Sequence, residues 1–311
     1  MALTVGELEA LSQDYWDKGT HDQYFRGNVL MYRLLKKGKK YDGGRRIRVQ
    51  LDYGEPHGDE WNSQSTFDTN KYEEHTSAFF KPGYFYEPVT YDIDDVVENS
   101  GDAAQVNLVD AKLTKSQKKI RSKMADKLYA NTGYGATGRG LLGLPAMVST
   151  TSTYGEIAVA DLPEWIAGYS SSSAAPVSFG ILRTMASSCL VGDDPMDEPT
   201  MYVTTRTLHD AIKGMTLPMQ QFEDADLADV GFKNVMFEGK PVVADYKCPS
   251  TYVYTLNENY MDFYSHKDFF FIRTPWMRPT NAYKFTCQLI WVGQMVCKRR
   301  QAHGVYSGLT A

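Results

Sequence analysis

Between residues 46 and 51 the chain alternates, with Ile47, Val49 and Leu51 set against Arg46, Arg48 and Gln50. A period of two is that of a strand with one buried face. A second alternating segment, through Phe79, Tyr84 and Tyr86, is predicted to run back along it. Residues 52–76, DYGEPHGDEWNSQSTFDTNKYEEHT, are polar and turn-rich, and their aromatics Tyr53, Trp61, Phe67 and Tyr72 follow no core period. A loop of that length inside a compact domain needs a job. The pattern therefore predicts an extended hairpin, and because a lone two-stranded hairpin is marginal in water it needs a surface to lie on, such as a neighbouring copy of the chain. Residues 105–130 predict a long helix, with Val106, Val109, Leu113, Ile120, Met124 and Leu128 recurring at steps of three and four. At 1.5 Å per residue it would be a rod on the order of 40 Å. Its other faces carry Lys112, Lys115, Lys118, Lys119, Arg121, Lys123 and Lys127 against Asp110 and Asp126. The acidic run at residues 91–102 suits an approach to its N-terminus.

Elsewhere the pattern is shorter in range. Residues 1–35 read as helical or irregular, with a weak Leu3, Leu8, Leu11 stripe and then LMYRLL at residues 30–35, an arm more than a core. Residues 145–173 are Ser/Thr-rich and irregular, and residues 177–190 predict a helix. The stretch MYVTTRTLHDAIKGM predicts a short strand entering a helix, N-capped by Thr204 or Thr205, with Leu208, Ala211 and Ile212 buried. The remainder is β-rich, at residues 235–237, 241–244, 251–256, 260–264, 269–272 and 284–292. The last of these places Phe285, Cys287, Leu289 and Trp291 on one face.

At 311 residues the chain is long enough for two units, or for one with large excursions. Its 42% hydrophobic and 23% charged residues are those of a globular protein. A net charge of −5 creates no global positive field, so any nucleic-acid contact is local. One local patch is Lys36, Lys37, Lys39, Lys40, Arg45, Arg46 and Arg48 around the turn signal DGG at residues 42–44. A solvated flank and a contact with an acidic neighbour or DNA are both open readings of it. The acidic start resembles no signal peptide and no stretch has the apolar length of a membrane span, so a soluble chain made in the cytoplasm, with no membrane partner, is expected. Cys189, Cys248, Cys287 and Cys297 show no C-x-x-C spacing and are expected as buried, reduced thiols.

A search for chemistry yields little. Gly133, Gly135 and Gly138 form G-x-G-x-x-G, but the dinucleotide motif leaves a strand and opens a helix, whereas this one follows the predicted long helix. His21, His57, His75, His209, His266 and His303 have no metal-ligand spacing. The run EDADLAD at residues 223–229 lacks the glycine and terminal glutamate of a calcium loop. No catalytic residue, metal ligand or cofactor-binding residue is assigned.

Residues 203–246 resemble phage major capsid proteins of the Hong Kong 97-type fold. The match lies in a strand and helix followed by Gln221, Phe222, Asp224, Leu227, Ala228, Gly231 and Phe232, then Phe237, Gly239 and Val242. The tail QLIWVGQMVCKRRQAHGVYSGL looks like that family's last strand and C-terminal segment. The resemblance implies an α+β fold: an N-terminal arm at 1–44, an extended E-loop hairpin at 45–90, a P-domain at 91–140 and 263–300 with a long spine helix and a β-sheet, an axial A-domain at 141–262, and a tail at 301–311. It also implies a shell subunit without catalytic activity or cofactor, assembling in a bacterial host cytoplasm through hexamers and pentamers into the icosahedral head of a virion that encloses double-stranded DNA. The implied partners are copies of itself, a scaffolding protein, a portal and decoration proteins. Residues expected to touch neighbouring copies are Arg45, Arg46, Arg48, Tyr53, Trp61, Phe67, Lys71 and Tyr72. The surroundings of Lys71 do not match the family's cross-linking pattern, and that chemistry is not carried over. The basic helix face, with Lys298, Arg299 and Arg300, is expected to pair with a neighbour's acidic loop or to lie near packaged DNA. Encapsulin-like shells share the fold and are the alternative; a nucleotide-binding enzyme using Gly133 to Gly143 is more remote.

Overall fold

The computed structural model describes residues 27–54, 60, 62, 74–98, 108–192, 197–220, 235–280 and 282–311. In chain order these form helix α1 (Val29–Lys36), strands β1 (Lys39–Tyr41), β2 (Ile47–Asp52), β3 (His75–Phe80) and β4 (Gly83–Asp92), and helices α2 (Ile93–Glu98), α3 (Leu108–Ala130) and α4 (Leu144–Met147). There follow β5 (Tyr169–Ser171), β6 (Ala175–Pro176), α5 (Phe179–Ser188), β7 (Met201–Thr204), α6 (Arg206–Gln220), β8 (Val235–Phe237), β9 (Lys240–Ala244) and β10 (Val253–Leu256). The last strands are β11 (Met261–His266), β12 (Ile272–Arg273), β13 (Lys284–Cys297), β14 (Gly304–Tyr306) and β15 (Leu309–Thr310). The chain divides into two units, one including Tyr86–Ile120 and Arg273–Leu289, the other Arg26–Phe85, Arg121–Ile272 and Ile290–Ala311.

In the larger unit a six-stranded sheet runs in the order β5-β14-β10-β7-β9-β8. β10 is antiparallel to β7 and β14, whereas β5 and β9 lie parallel to their neighbours β14 and β7. Every residue of β7 and β10 is buried, which is why these strands read as continuous apolar runs with no alternation. Leu182 and Met185 of α5 and Leu208 and Ile212 of α6 pack into one cluster with Tyr202, Phe237, Val242 and Val253. The Phe179 ring stacks on Phe237 at 5.6 Å, adding about 1 kcal/mol beyond area burial. Ser178 caps α5 by accepting the Ile181 N–H at 3.3 Å. Helix α6 begins directly after Thr205, one of the two predicted cap residues, whose carbonyl accepts the His209 N–H at 2.9 Å; Thr204 Oγ1 donates to Tyr252 O and Thr205 Oγ1 to Ser250 O.

A second sheet joins β1, β11 and β13, with β4 and β12 also paired to β13. β11 meets β13 in the antiparallel register Met261↔Cys297 to Ser265↔Gly293. The alternation of Cys287, Leu289 and Trp291 holds, but the strand runs on to Cys297 and is buried throughout from Trp291. Residues 269–272, expected as a strand, contribute only Ile272 to β12. Phe271 has φ +53°, a left-handed conformation that ends an extended run. The returning segment through Phe79, Tyr84 and Tyr86 is likewise two strands, β3 and β4, interrupted at Lys81 and Pro82, where proline removes a ladder donor.

Residues 30–35 are not arm-like. Leu30, Met31 and Leu34 are buried, and the Leu30 N–H is accepted by Asp245 Oδ2 at 3.2 Å. In the smaller unit Tyr91 stacks on Phe285 at 5.2 Å and meets Trp276 edge-on at 4.8 Å. Helix α3 is about 35 Å long at 1.5 Å per residue. Ile120, Met124 and Leu128 are buried as its periodicity predicts, while residues 105–107 lie outside the described residues. All four cysteines are buried free thiols, and burial pushes Cys189 and Cys297 up to about 12, far from a reactive thiolate.

Candidate functional site

The surfaces singled out by sequence are the hairpin, the basic cluster before it, the basic helix face and the glycine segment. β2 and β3 pair antiparallel from Ile47↔Phe80 to Asp52↔His75, forming a sheet of two strands. Ile47, Val49, Leu51, Ala78 and Phe80 face inward. On the outer face the Phe79 ring lies between Arg46 and Arg48, whose guanidinium carbons are 5.8 and 6.0 Å from its centroid. Arg48 Nε also donates to Ser77 Oγ at 2.9 Å. Arg45 is exposed. Tyr53 extends the ladder by donating its N–H to Glu74 O at 2.9 Å. Trp61, Phe67, Lys71 and Tyr72 lie outside the described residues, as do the run at 223–229 and the passage from Gln221 to Phe232.

Much of the basic cluster is engaged within the chain. Arg33 forms a two-pronged pair with Glu258 at 2.7 and 2.6 Å, and Lys37 joins it at 3.2 Å. Lys39 and Lys298 share Asp262 at 2.9 and 2.7 Å. Burial pushes the Glu258 and Asp262 carboxyls up, but the hydrogen bonds and charges of these cations outweigh it and hold both below the usual carboxylate range. Along α3, Lys112 pairs with Asp95 at 2.8 Å, and Lys119 pairs with the buried Glu87 carboxylate. Arg121 lies over the Phe271 ring at 5.4 Å. Lys115, Lys118, Lys119 and Lys123 are exposed.

The expectation that Arg300 pairs with a neighbour's acidic loop or lies near packaged DNA is overturned, because Arg300 is 1% exposed. Its Nε donates to Met147 O at 2.9 Å, Nη1 to Trp165 O at 2.5 Å and Ser152 O at 3.3 Å, and Nη2 to Ala146 O at 3.2 Å and to Ser149 O. The guanidinium also faces the Tyr154 ring at 5.3 Å. Burial pulls its pKa below the ordinary arginine value, though arginine stays charged in proteins. Arg299 is likewise turned to the chain, donating to Val191 O at 2.6 Å. Nothing in KRRQ distinguishes a buried arginine from a surface one, so sequence reasoning had no signal for it.

The glycine segment packs against the C-terminal end of α3. A β-carbon at Gly143 would lie 2.5 Å from Asn131 O and 2.7 Å from Leu128 O. Only glycine allows that approach, and what it approaches is the carbonyl, electronegative end of the helix, which repels phosphate. Among the described residues no group of three or more His, Cys, Asp or Glu could hold a metal ion, and no helix is long and apolar enough to cross a membrane.

No protein-family model matches the sequence, and no curated protein does. Solved structures do. The capsid chain of cyanophage A-1(L) matches with TM-score 0.71 at 16% identity, over 97% of this chain and 98% of that one. The capsid of Myoviridae phage XM1 matches with TM-score 0.65 at 12% identity, over 99% of each chain. The SrpI encapsulin of Synechococcus elongatus PCC 7942 matches with TM-score 0.64 at 10% identity, over 99% and 96%. The chain therefore carries, over nearly its full length, the mixed helix-and-sheet fold of phage capsid proteins, a fold the encapsulin shares.

Proposed function

We propose that this chain is the major capsid protein of a phage, a shell subunit that assembles with copies of itself through hexamers and pentamers and encloses double-stranded DNA. The observation that carries the reading is the extent of the likeness to the cyanophage capsid chain, 97% of one and 98% of the other. On this reading residues 45–90 form the E-loop that overlaps a neighbour. Residues 91–140 and 263–300 form the peripheral domain with α3 as its spine, and residues 141–262 form the axial domain at the centre of each ring. The mechanism is geometric: head-to-tail contacts close rings, and many weak contacts add up to a stable shell. The chain acts without a catalytic site, and a scaffolding protein, portal and decoration proteins are its further partners.

The exposed lysines of α3 are assigned to pairing with acidic groups of a neighbouring copy. Lys112 and Lys119 already pair within the chain, and Lys115 is offered outward. Replacing Lys115, Lys118 and Lys119 by glutamine is expected to lower shell yield; a normal yield would remove this assignment.

The second reading is a protein-enclosing compartment, favoured by the encapsulin likeness at TM-score 0.64. Particles recovered from cells that also express the chain's genomic neighbours separate the two. Nuclease-resistant DNA inside them supports the capsid reading, and protein cargo without DNA supports the compartment. A raised melting temperature with millimolar ATP or NAD would reopen the nucleotide-binding reading, since a ligand of the native state must stabilise it.

A further inference from the structure

The turn at residues 154–157 is unusual both in conformation and in what it touches. Tyr154 N donates to Ile157 O at 3.1 Å and Ile157 N to Tyr154 O at 3.2 Å, closing a two-residue loop. Its central residues Gly155 and Glu156 have φ +63° and +65°. Turns of this hand favour glycine, asparagine or aspartate at both positions, because a β-carbon is strained there. At Gly155 packing adds a second demand, since a β-carbon would lie 2.8 Å from Ala78 Cβ and 2.9 Å from the Phe80 ring. Glu156 meets no such demand and carries the strain. Its carboxylate reaches Arg46 Nη1 at 2.6 Å and Lys81 Nζ at 3.7 Å. Arg46 stands immediately before β2 and Lys81 immediately after β3, so one carboxylate spans both ends of the hairpin base. On the free edge of β3, the Phe79 N–H donates to Gly155 O at 2.8 Å.

We propose that this turn is a latch that fixes the direction in which the β2–β3 hairpin leaves its unit, with Glu156 as the positioning residue that bridges Arg46 and Lys81. A two-stranded sheet has little stability of its own, so whatever holds its base sets its orientation. A strained non-glycine residue persists where its surroundings over-determine it, and here the surroundings are the two cations and the β3 edge. The latch can open without unfolding the core, because Arg46 and Glu156 are 35% and 33% exposed and border an open groove with Tyr53, Ser77, Phe79 and Leu162. The inference stands on these contacts whether or not the chain builds a shell; in a shell, hairpin direction would govern overlap with the next copy.

Hydrogen exchange on the full chain tests it. Glu156→Gln keeps the strained backbone and removes the charge, and β3 amides are expected to exchange roughly tenfold faster while those of β7 and β10 do not change. Glu156→Gly relieves the strain and removes the bridge. It is expected to melt higher than Glu156→Gln yet to exchange as fast in β3. Adding Arg46→Gln to Glu156→Gln should accelerate exchange no further, since the pair acts as one unit. Unchanged β3 exchange in Glu156→Gln, or fully additive acceleration in the double variant, would overturn the latch.

Discussion

The six-stranded sheet and residues 144–167 lie in the same unit and are held by opposite means. The sheet buries β7 and β10 whole and packs α5 and α6 through Leu182, Met185, Leu208 and Ile212, so its stability is apolar area and backbone ladders. Residues 144–167 contain a single short helix, and their chain path is irregular. Trp165 Nε1 donates to Tyr154 O at 2.9 Å, and Tyr154 Oη accepts the Cys297 N–H at 3.2 Å. At the centre one guanidinium satisfies five carbonyls of the irregular segment. Buried carbonyls without ladder partners must find donors elsewhere, and a planar cation with five N–H groups supplies them from one side chain. A region can thus be held in one conformation by buried polar contacts while carrying no periodic signal.

The largest effect is expected at that cation. Arg300→Ala is expected to destabilise the chain by roughly 4 kcal/mol, because it leaves buried acceptors unpaired and a void. Arg300→Lys should lose most of that, since a compact ammonium cannot match the fork. Urea unfolding measures both, and a loss below about 1 kcal/mol would mean that the carbonyls find other donors. In the sheet, Leu182→Ala is expected to cost about 3 kcal/mol through transfer and cavity terms, with cooperativity intact. Hydrogen exchange sharpens the contrast: Arg300 variants should open 144–167 first, and Leu182→Ala should loosen the whole sheet.

An effect that is small at neutral pH and grows only on acidification is expected at His303. Its Nδ1 accepts the Asn257 N–H at 3.2 Å and its carbonyl accepts the Gly168 N–H at 3.0 Å. Complete burial depresses its pKa to about 3, so the folded state keeps it neutral while the unfolded chain takes up a proton below its higher, ordinary pKa. Stability should therefore fall with pH from about 6.5 toward 3 at up to about 1.4 kcal/mol per pH unit. His303→Gln should flatten that slope. Glu258 and Asp262, whose pKa values are lowered, act in the same direction in a lower window: their contribution is present above the usual carboxylate range and is lost as pH falls through their folded values. The smallest effect on stability, within about 0.5 kcal/mol, is expected for Lys115→Gln, an exposed site.

What the sequence made legible follows the same division. The period-two run at Ile47, Val49 and Leu51 and the helical stripe through Ile120, Met124 and Leu128 each have one buried face, and each was readable. The segments at 201–204 and 253–256 were readable as strands, but not their complete burial, because a strand buried on both faces shows no alternation. LMYRLL reads as arm-like because the groups that hold it, Asp245 and Glu258, are more than 200 residues away along the chain. The Arg300 cage and the Glu156 bridge were not legible: both are single polar side chains whose partners are backbone groups or distant ions, which leave no spacing to detect. Of the expected contact residues, Arg46 lies at the hairpin base, where its partner Glu156 is distant in sequence, Arg48 packs on Phe79, and Tyr53 lies at the far end of β2.

Whether this chain forms shells is decided by electron microscopy of the purified chain, expressed alone and with its genomic neighbours. Closed icosahedral particles are expected, or tubes and rings of six where a scaffold is lacking. A folded chain that stays monomeric under both conditions at high concentration would contradict shell formation.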